Sequence, residues 1–575
     1  MKVERGISQI LFGLLPSQTV DLEGQVWRVA EWRDPDKLNL DQAAVHSALL
    51  EAVAPWVLHG NDAGIDSELR SGTPVEVVQV NKDRGVLVDQ FPQQWRCRAC
   101  GRLTTDRVVS CRCGSTAITQ MQHVAYHSCG ALREPILRRC PTHNAVAVRL
   151  PGTATAREMY FYCPECGQQL SKGFPYQPCA CGEPGGMAIN VHRAGAVFSP
   201  HYAVIVNPPD PAAAARLRAS GGGARALEWV LGGLAGRGLL EGGPTYESLV
   251  DSFLRLNLSP ETAQDLAKQA VERGEAERGS EDGDIDLPPM VRERAQEEAL
   301  SLASALDQGR VQIADMVENT TPPLRTLYES AYREATTEAL LENVELLTNF
   351  PVATLAFGYT RRGSEPAETT LVAFRERGRL RAYGTLNHTE AILIQLNPVD
   401  VLKWLQRQGF DLPSTENKRE ARLAILRSVE IPRPTEDNPQ PMGNAMLTLL
   451  HSYTHRLIRV LAANAGVERD GLSEYLLPHH LSFIIYASAR GEFVLGSLQA
   501  VFETSLHRLL NEFVHGEARC PLDPGCRTGG GACMACLHLG EPSCRWFNQF
   551  LDRSVLFGDV SGETEGFLEG SRERS

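Results

Sequence analysis

The chain has no long apolar run. No stretch reaches the roughly 18 apolar residues that suggest a membrane-spanning helix. The run Ile10 to Leu15, preceded by Lys2, Glu4 and Arg5, is too short and too poorly flanked for a secretory signal. A soluble cytoplasmic protein with no membrane association is the expectation. Positive charge is also scarce overall: 57 Lys+Arg stand against 70 Asp+Glu, a net charge of −13, so nothing global argues for nucleic acid. A GxxxxGK[ST] loop to cradle nucleotide phosphates is missing, as is an acidic Mg²⁺ motif to follow it or an HxK-type phosphodiesterase motif. These absences point to a chain without motor or nuclease activity of its own.

What the chain does have is cysteine, 15 residues among 575, in close pairs. CRAC is followed after ten residues by CRC, giving Cys97, Cys100, Cys111 and Cys113. CPEC is followed after twelve residues by CAC, giving Cys163, Cys166, Cys179 and Cys181. Zn²⁺ prefers four soft or borderline ligands in a tetrahedron, and a CxxC turn places two sulfurs on one side of such a site. Gly101, Gly114, Gly167 and Gly182 each follow a pair, where a knuckle turn needs positive φ. Disulfides fit poorly without a secretory signal. A thioredoxin-like redox centre needs one CxxC, not two quartets. Two structural zinc sites are therefore expected, each contributing about 10–16 kcal/mol of apparent binding energy to local folding.

Between the quartets lie His127, Cys129, Cys140 and His143, the first quartet's spacing reversed with histidine outermost. Two readings stand: a third zinc site, or two core cysteines with two surface histidines. Metal content near three rather than two from this half of the chain separates them. The same region is locally basic. Arg96, Arg98, Arg102, Arg107, Arg112, Arg138 and Arg139 are the candidate phosphate contacts, because the guanidinium fork donates two parallel hydrogen bonds. A solvated surface is the plain alternative. Trp95 and Tyr160 to Tyr162 are candidates for stacking on bases or for packing the small zinc cores.

Composition, 43% hydrophobic and 22% charged, is that of an ordinary globular protein, and the length suggests about three to five domains. A multidomain α+β protein is expected. Residues 1–94 read as an α/β lead-in, with VWRVAEW as a strand, a helix ending near Pro55, and a hairpin of Val75–Val80 with Val86–Val88. Residues 95–186 form a tandem zinc-ribbon-like region and 187–209 a strand segment. Residues 210–345 read as helical, interrupted by the acidic linker ERGEAERGSEDGDIDLPP. Residues 346–440 return to strands and close on the proline-rich linker PRPTEDNPQP. Residues 441–560 carry a long helix from Gly443, a buried strand SFIIYAS, an amphipathic helix LGSLQAVFETSLHRLLNEFV and a last cysteine cluster, before a flexible tail at 561–575.

In that long helix His451 and His455 are four apart and share a face. They could be metal ligands, but the Glu that zinc peptidases place inside such a pair is replaced by Ser452, Tyr453 and Thr454, which favours a hydrogen-bonded pair. Cys520, Cys526, Cys533, Cys536 and Cys544 fall within 25 residues. One exceeds a tetrahedral site. Cys520, Cys526, Cys533 and Cys536 are the favoured ligands, with Cys544 competing with Cys520.

The HSYTH helix, FIIYASARGEFVLGSL, GACMAC and the closing SCRWFNQFLDR resemble the zinc-binding domain of MrfA-type superfamily 2 helicases, over about 443–558. That domain is shared by the DrmB family of the bacterial DISARM anti-phage system. RGISQILFGLLPSQTVDLEG resembles the start of that family and VHRAGAVFSPHYAVIVNPP the segment after its cysteine-rich region, while 210–345 has no counterpart. The resemblance implies a non-catalytic zinc-binding partner of a DrmA-like superfamily 2 helicase. The pair would bind DNA, single-stranded or duplex. Two other functions compete: a metal-dependent hydrolase or nuclease built on His451, His455 and Glu474, and a purely structural zinc scaffold bridging proteins.

Overall fold

The computed structural model describes residues 6–150, 156–182, 185–234, 246–255, 258–272, 285–318, 320–432, 440–488, 496–540, 543–544, 546, 548–558 and 565–572. Most of the acidic linker, most of the proline-rich linker and residues 489–495 lie outside the described residues. The fold is mixed α+β, and it divides into two compact units. One comprises Met1–Pro208 with Ala353–Leu386, the other Pro209–Val352 with Asn387–Ser575.

In the first unit, Thr19–Leu22, Gln25–Trp32 and Val86–Gln90 form an antiparallel sheet. The expected hairpin is not formed. Val86–Gln90 pairs with Gln25–Trp32, whereas Glu76–Gln79 runs parallel to residues 381–383 and antiparallel to Asp36–Lys37. The turn is there, but both strands find longer-range partners that bury their apolar faces. Helix Gln42–Val57 starts where the Asp41 carboxylate accepts from Ala44 N, and it runs two residues beyond Pro55. Its Val45, Leu49, Val53 and Trp56 pack on Ala203, Ile205, Ala353, Leu355 and Phe357. Three small antiparallel sheets carry the cysteine-rich region: Leu103–Thr104, Trp95–Cys97 and Ile118–Gln120; Leu132–Arg133, His123–Tyr126 and Ala188–Val191; and Ala147–Arg149, Tyr160–Tyr162 and Gln169–Lys172.

The second unit is organised around helix Pro441–Ala465. Its residues Met446, Leu450, Tyr453, Leu457 and Leu461 are buried among the hairpin Leu472–Leu477/Ser482–Ala487, residues 391–395 and helices Pro398–Arg407 and Leu506–His515. Gly443 is required there, since a Cβ would lie 1.9 Å from Glu430 O. The helix ends at Gly466, with φ 65°. The amphipathic stretch expected as one helix breaks at Ser505 (φ −140°) into Ser497–Thr504 and Leu506–His515. Of the strands expected after residue 346, VATLAFGYT lies in Leu341–Thr360 and RAYGTL and AILIQL in Arg379–Leu396, while TLVAFRERG forms only the short strands Val372–Ala373 and Arg375–Glu376. The expected tail is not free throughout, because Phe567 and Leu568 are buried in this core. No helix among the described residues is long and apolar enough to cross a membrane.

Candidate metal centres

Each knuckle is a local turn closed by one backbone hydrogen bond. In the first, Gly101 N donates to Cys97 O (2.9 Å), and in the second Gly114 N donates to Cys111 O (2.8 Å). Gly101 also tolerates a close approach, since a Cβ would sit 2.4 Å from Val148 O. The sheet Leu103–Thr104/Trp95–Cys97/Ile118–Gln120 brings the two turns together. Cys97 and Cys113 sulfurs are 3.6 Å apart, and those of Cys100 and Cys111 3.5 Å. A zinc ion with Zn–S of about 2.3 Å gives a tetrahedral S···S edge of about 3.8 Å, whereas a disulfide holds its sulfurs about 2.0 Å apart. All the cysteines are free thiols. Desolvation pushes the Cys97 thiol up, but the N–H groups of Cys100 and Ala99 outweigh it and hold it at about 6. Burial pushes Cys100, the other thiol of the turn, up to about 12, so the turn ionises Cys97 first and a metal must displace the Cys100 proton.

The grouping further along differs from the sequence expectation. Cys163 and Cys166 do not meet Cys179 and Cys181, and His127–Cys129 does not meet Cys140–His143. The pairing is nested. His127 and Cys129 join Cys179 and Cys181 in an outer cluster, and Cys140 and His143 join Cys163 and Cys166 in an inner one. Outer distances are 3.5 Å for Cys129–Cys179 and 3.5 Å for Cys181 Sγ to His127 Nδ1. Inner distances are 3.5 and 3.6 Å from His143 Nδ1 to Cys140 and Cys163, and 4.0 Å for Cys140–Cys166. Strand order is the cause. His123–Tyr126 pairs with Ala188–Val191, which closes the outer cluster. Tyr160–Tyr162 lies between Ala147–Arg149 and Gln169–Lys172, which closes the inner one.

The sequence carries a turn signal for the mixed knuckles too. Gly130 follows Cys129 with φ 90°, and Asn144 follows His143 with φ 45°, the same punctuation as after the CxxC pairs. Spacing also matches within each cluster: one residue separates both outer pairs, two separate both inner pairs.

In the second unit Cys520, Cys526, Cys533 and Cys536 come together, with sulfurs 3.5 Å (Cys520–Cys533), 3.6 Å (Cys526–Cys536) and 3.7 Å (Cys533–Cys536) apart. The long helix grips this knuckle through Arg459, which donates to Ala535 O (2.6 Å) and Met534 O (3.3 Å). Cys544 does not compete for it. Its sulfur lies 3.3 Å from His451 Nε2, in a separate buried cluster with His455 and Glu474. Burial works against ionisation of Glu474, and positive charge on the His451 and His455 side of the carboxylate is what offsets it and holds its carboxyl well below the usual range. Burial, with the Glu474 charge beside it, pushes the Cys544 thiol up.

The candidate phosphate contacts divide by exposure. Arg98, Arg107, Arg112, Arg138 and Arg139 are exposed. Arg96 is half-buried, and Arg102 is ion-paired with Glu165, which ties the first cluster to the inner one. Tyr162 Oη reinforces that tie by donating to Cys100 O (3.1 Å). Trp95 and Phe161 are buried, so they pack beneath the cysteine clusters rather than offer a face to a base. The Arg107 guanidinium lies 5.3 Å from the Trp95 ring centroid. Tyr160 and Tyr162 are half-buried.

Residues 6–193, which hold all three first-unit clusters, match the family described as "Domain of unknown function (DUF8724)". The chain is similar to the DISARM protein DrmB. The similarity to that protein, from Bacillus paralicheniformis, is 25% identity over 198 residues, covering 32% of this chain. The matched stretch spans about a third (34%) of the length of that curated relative.

Proposed function

We propose that this chain is a zinc-scaffolded, non-catalytic component of a DISARM-type anti-phage defence system. It acts beside a DrmA-like superfamily 2 helicase and supports the grip of the complex on DNA. The observation that carries this reading is the stretch of identity to the DISARM protein DrmB. The donor sets agree with it: clusters of four thiolate and imidazole groups at tetrahedral spacing suit Zn²⁺ and build a rigid surface from short strands. On that surface the exposed Arg98, Arg107, Arg112, Arg138 and Arg139 grip phosphate without regard to sequence. Residues 441–560 act as the helicase-associated zinc domain, held by the long helix.

Co-expression with a DrmA-like superfamily 2 helicase, followed by size-exclusion chromatography and mass determination, tests the reading. A stoichiometric complex that binds DNA more tightly than the helicase alone is expected. Separate elution at low salt with DNA present would overturn it.

A further inference from the structure

The helix Pro441–Ala465 carries two buried imidazoles whose protons can be located. His451 Nδ1 lies 2.7 Å from Gln549 O, and His455 Nδ1 lies 3.0 Å from Leu537 O. A carbonyl only accepts, so each Nδ1 donates and holds its proton. In a neutral imidazole the other nitrogen, Nε2, is then a bare lone pair. Both Nε2 atoms face acceptors. His451 Nε2 is 3.1 Å from Glu474 Oε1, and His455 Nε2 is 3.3 Å from Glu474 Oε2. Cys544 Sγ completes the group, 3.3 Å from His451 Nε2. The four residues are 0%, 0%, 1% and 2% exposed, and His455 Nε2 and Glu474 Oε2 have no hydrogen-bond partner.

The Cys544 thiol is the one donor near His451 Nε2, and none lies between the facing His455 Nε2 and Glu474 Oε2, which is unstable unless a cation sits there. A proton on the His455 ring is one such cation, pairing with Glu474 Oε2 and leaving the Cys544 thiol to donate to His451 Nε2; it joins the side chains in twos, whereas a metal takes a lone pair from all four. A divalent metal with one carboxylate and one thiolate sums to zero. The distances suit it: donors at about 2.0–2.1 Å for N and O and about 2.3 Å for S give tetrahedral edges of about 3.3–3.6 Å. Both histidines also have the carbonyl-bound Nδ1–H that orients metal-ligating imidazoles.

We propose that His451, His455, Glu474 and Cys544 bind a Zn²⁺ ion, in a structural site distinct from the neighbouring Cys520–Cys536 knuckle. Protein atoms fill all four positions, so no position is open for substrate water. The ion ties the long helix to strand Leu472–Leu477 and to the segment after the knuckle. It is also coupled to the knuckle, because the carbonyl that orients His455 belongs to Leu537, next to Cys536. The helix thereby acts as a rigid spine between two metal centres.

Anomalous diffraction from crystals of the full chain, collected on either side of the zinc absorption edge, tests this without helicase or DNA, so its outcome is independent of the defence role. Metal counting on wild type, Glu474→Gln and Cys544→Ala accompanies it. The expected result is a zinc peak among the four side chains and the loss of one equivalent in each variant. Peaks at the four cysteine-rich clusters with none at His451–Glu474 would overturn the proposal. The wild-type crystal decides the question even where a variant fails to fold.

Discussion

The nested pairing predicts a result that no tandem arrangement gives. Cys166 and Cys181 belong to different clusters, inner and outer. The double variant Cys166→Ala/Cys181→Ala should therefore lose two zinc equivalents relative to wild type. His127→Ala/Cys181→Ala should lose one, because both ligands serve the same ion. A tandem Cys163–Cys181 site inverts the first outcome, with Cys166→Ala/Cys181→Ala losing one. Zinc per chain, measured by plasma mass spectrometry after dialysis, reads the difference as a whole equivalent. Each site supplies about 10–16 kcal/mol of apparent binding energy, far more than strands of three or four residues gain alone, so the damage should also be local. Hydrogen exchange should rise in His123–Tyr126 and Ala188–Val191 for Cys181→Ala, and in Ala147–Arg149, Tyr160–Tyr162 and Gln169–Lys172 for Cys166→Ala. A double variant Cys166→Ala/Cys181→Ala that sheds a single equivalent would refute the nested reading.

Replacing Arg98, Arg107, Arg112, Arg138 and Arg139 together by Ala should weaken single-stranded DNA binding. It should also flatten the plot of log K against log salt by about 0.7 for each arginine that grips phosphate; an unchanged slope would place DNA elsewhere. Gly130→Ala should cost about 2 kcal/mol, because φ is 90° and the new Cβ would meet Val372 Cγ2 at 2.9 Å. Gly114→Ala, with φ 86° but open space, should cost about 1 kcal/mol, and thermal denaturation compares the two. Burial holds His201 at about 4, below its usual 6.5. Its neutral form is favoured by the fold, so its stabilisation is whole above pH 6.5 and fades as pH falls towards 4. His201→Gln should remove up to about 3 kcal/mol of that acid sensitivity, read as the difference in unfolding free energy between pH 7 and pH 4.

The resemblance drawn from residues 443–558 and the matched family region lie at opposite ends of the chain, and the metal chemistry reads differently at each. In the first unit, ligand identity was legible because a knuckle is four or five residues long. Cys97–Gly101 and Cys163–Gly167 each carry their own turn signal, φ 72° and 73°. Which knuckle meets which was not. The segment 120–190 contains several short strands whose order no local pattern encodes, so the pairs His127–Cys129 and Cys140–His143 read as one site rather than as halves of two. The Val75–Val80/Val86–Val88 hairpin failed for a related reason: a turn between two apolar runs permits pairing, and distant partners that bury more surface displaced it.

The sequence by itself determined the chemistry of the donors, the turns that hold them in twos, and the helix that sets His451 and His455 on one face. Those are consequences of spacing within a few residues, where backbone geometry leaves little choice. Only the tertiary structure decided how the twos become fours. It placed Cys179 beside Cys129 across the Ala188–Val191 strand, and it moved Cys544 from the knuckle to the two imidazoles. Glu474 comes from a hairpin strand and Cys544 from a segment 70 residues further on, so their meeting on the helix depends on how the core packs. A tetrahedral centre needs four donors from at least two separate stretches, and the distance between such stretches in space is set by sheet order and burial rather than by their separation along the chain.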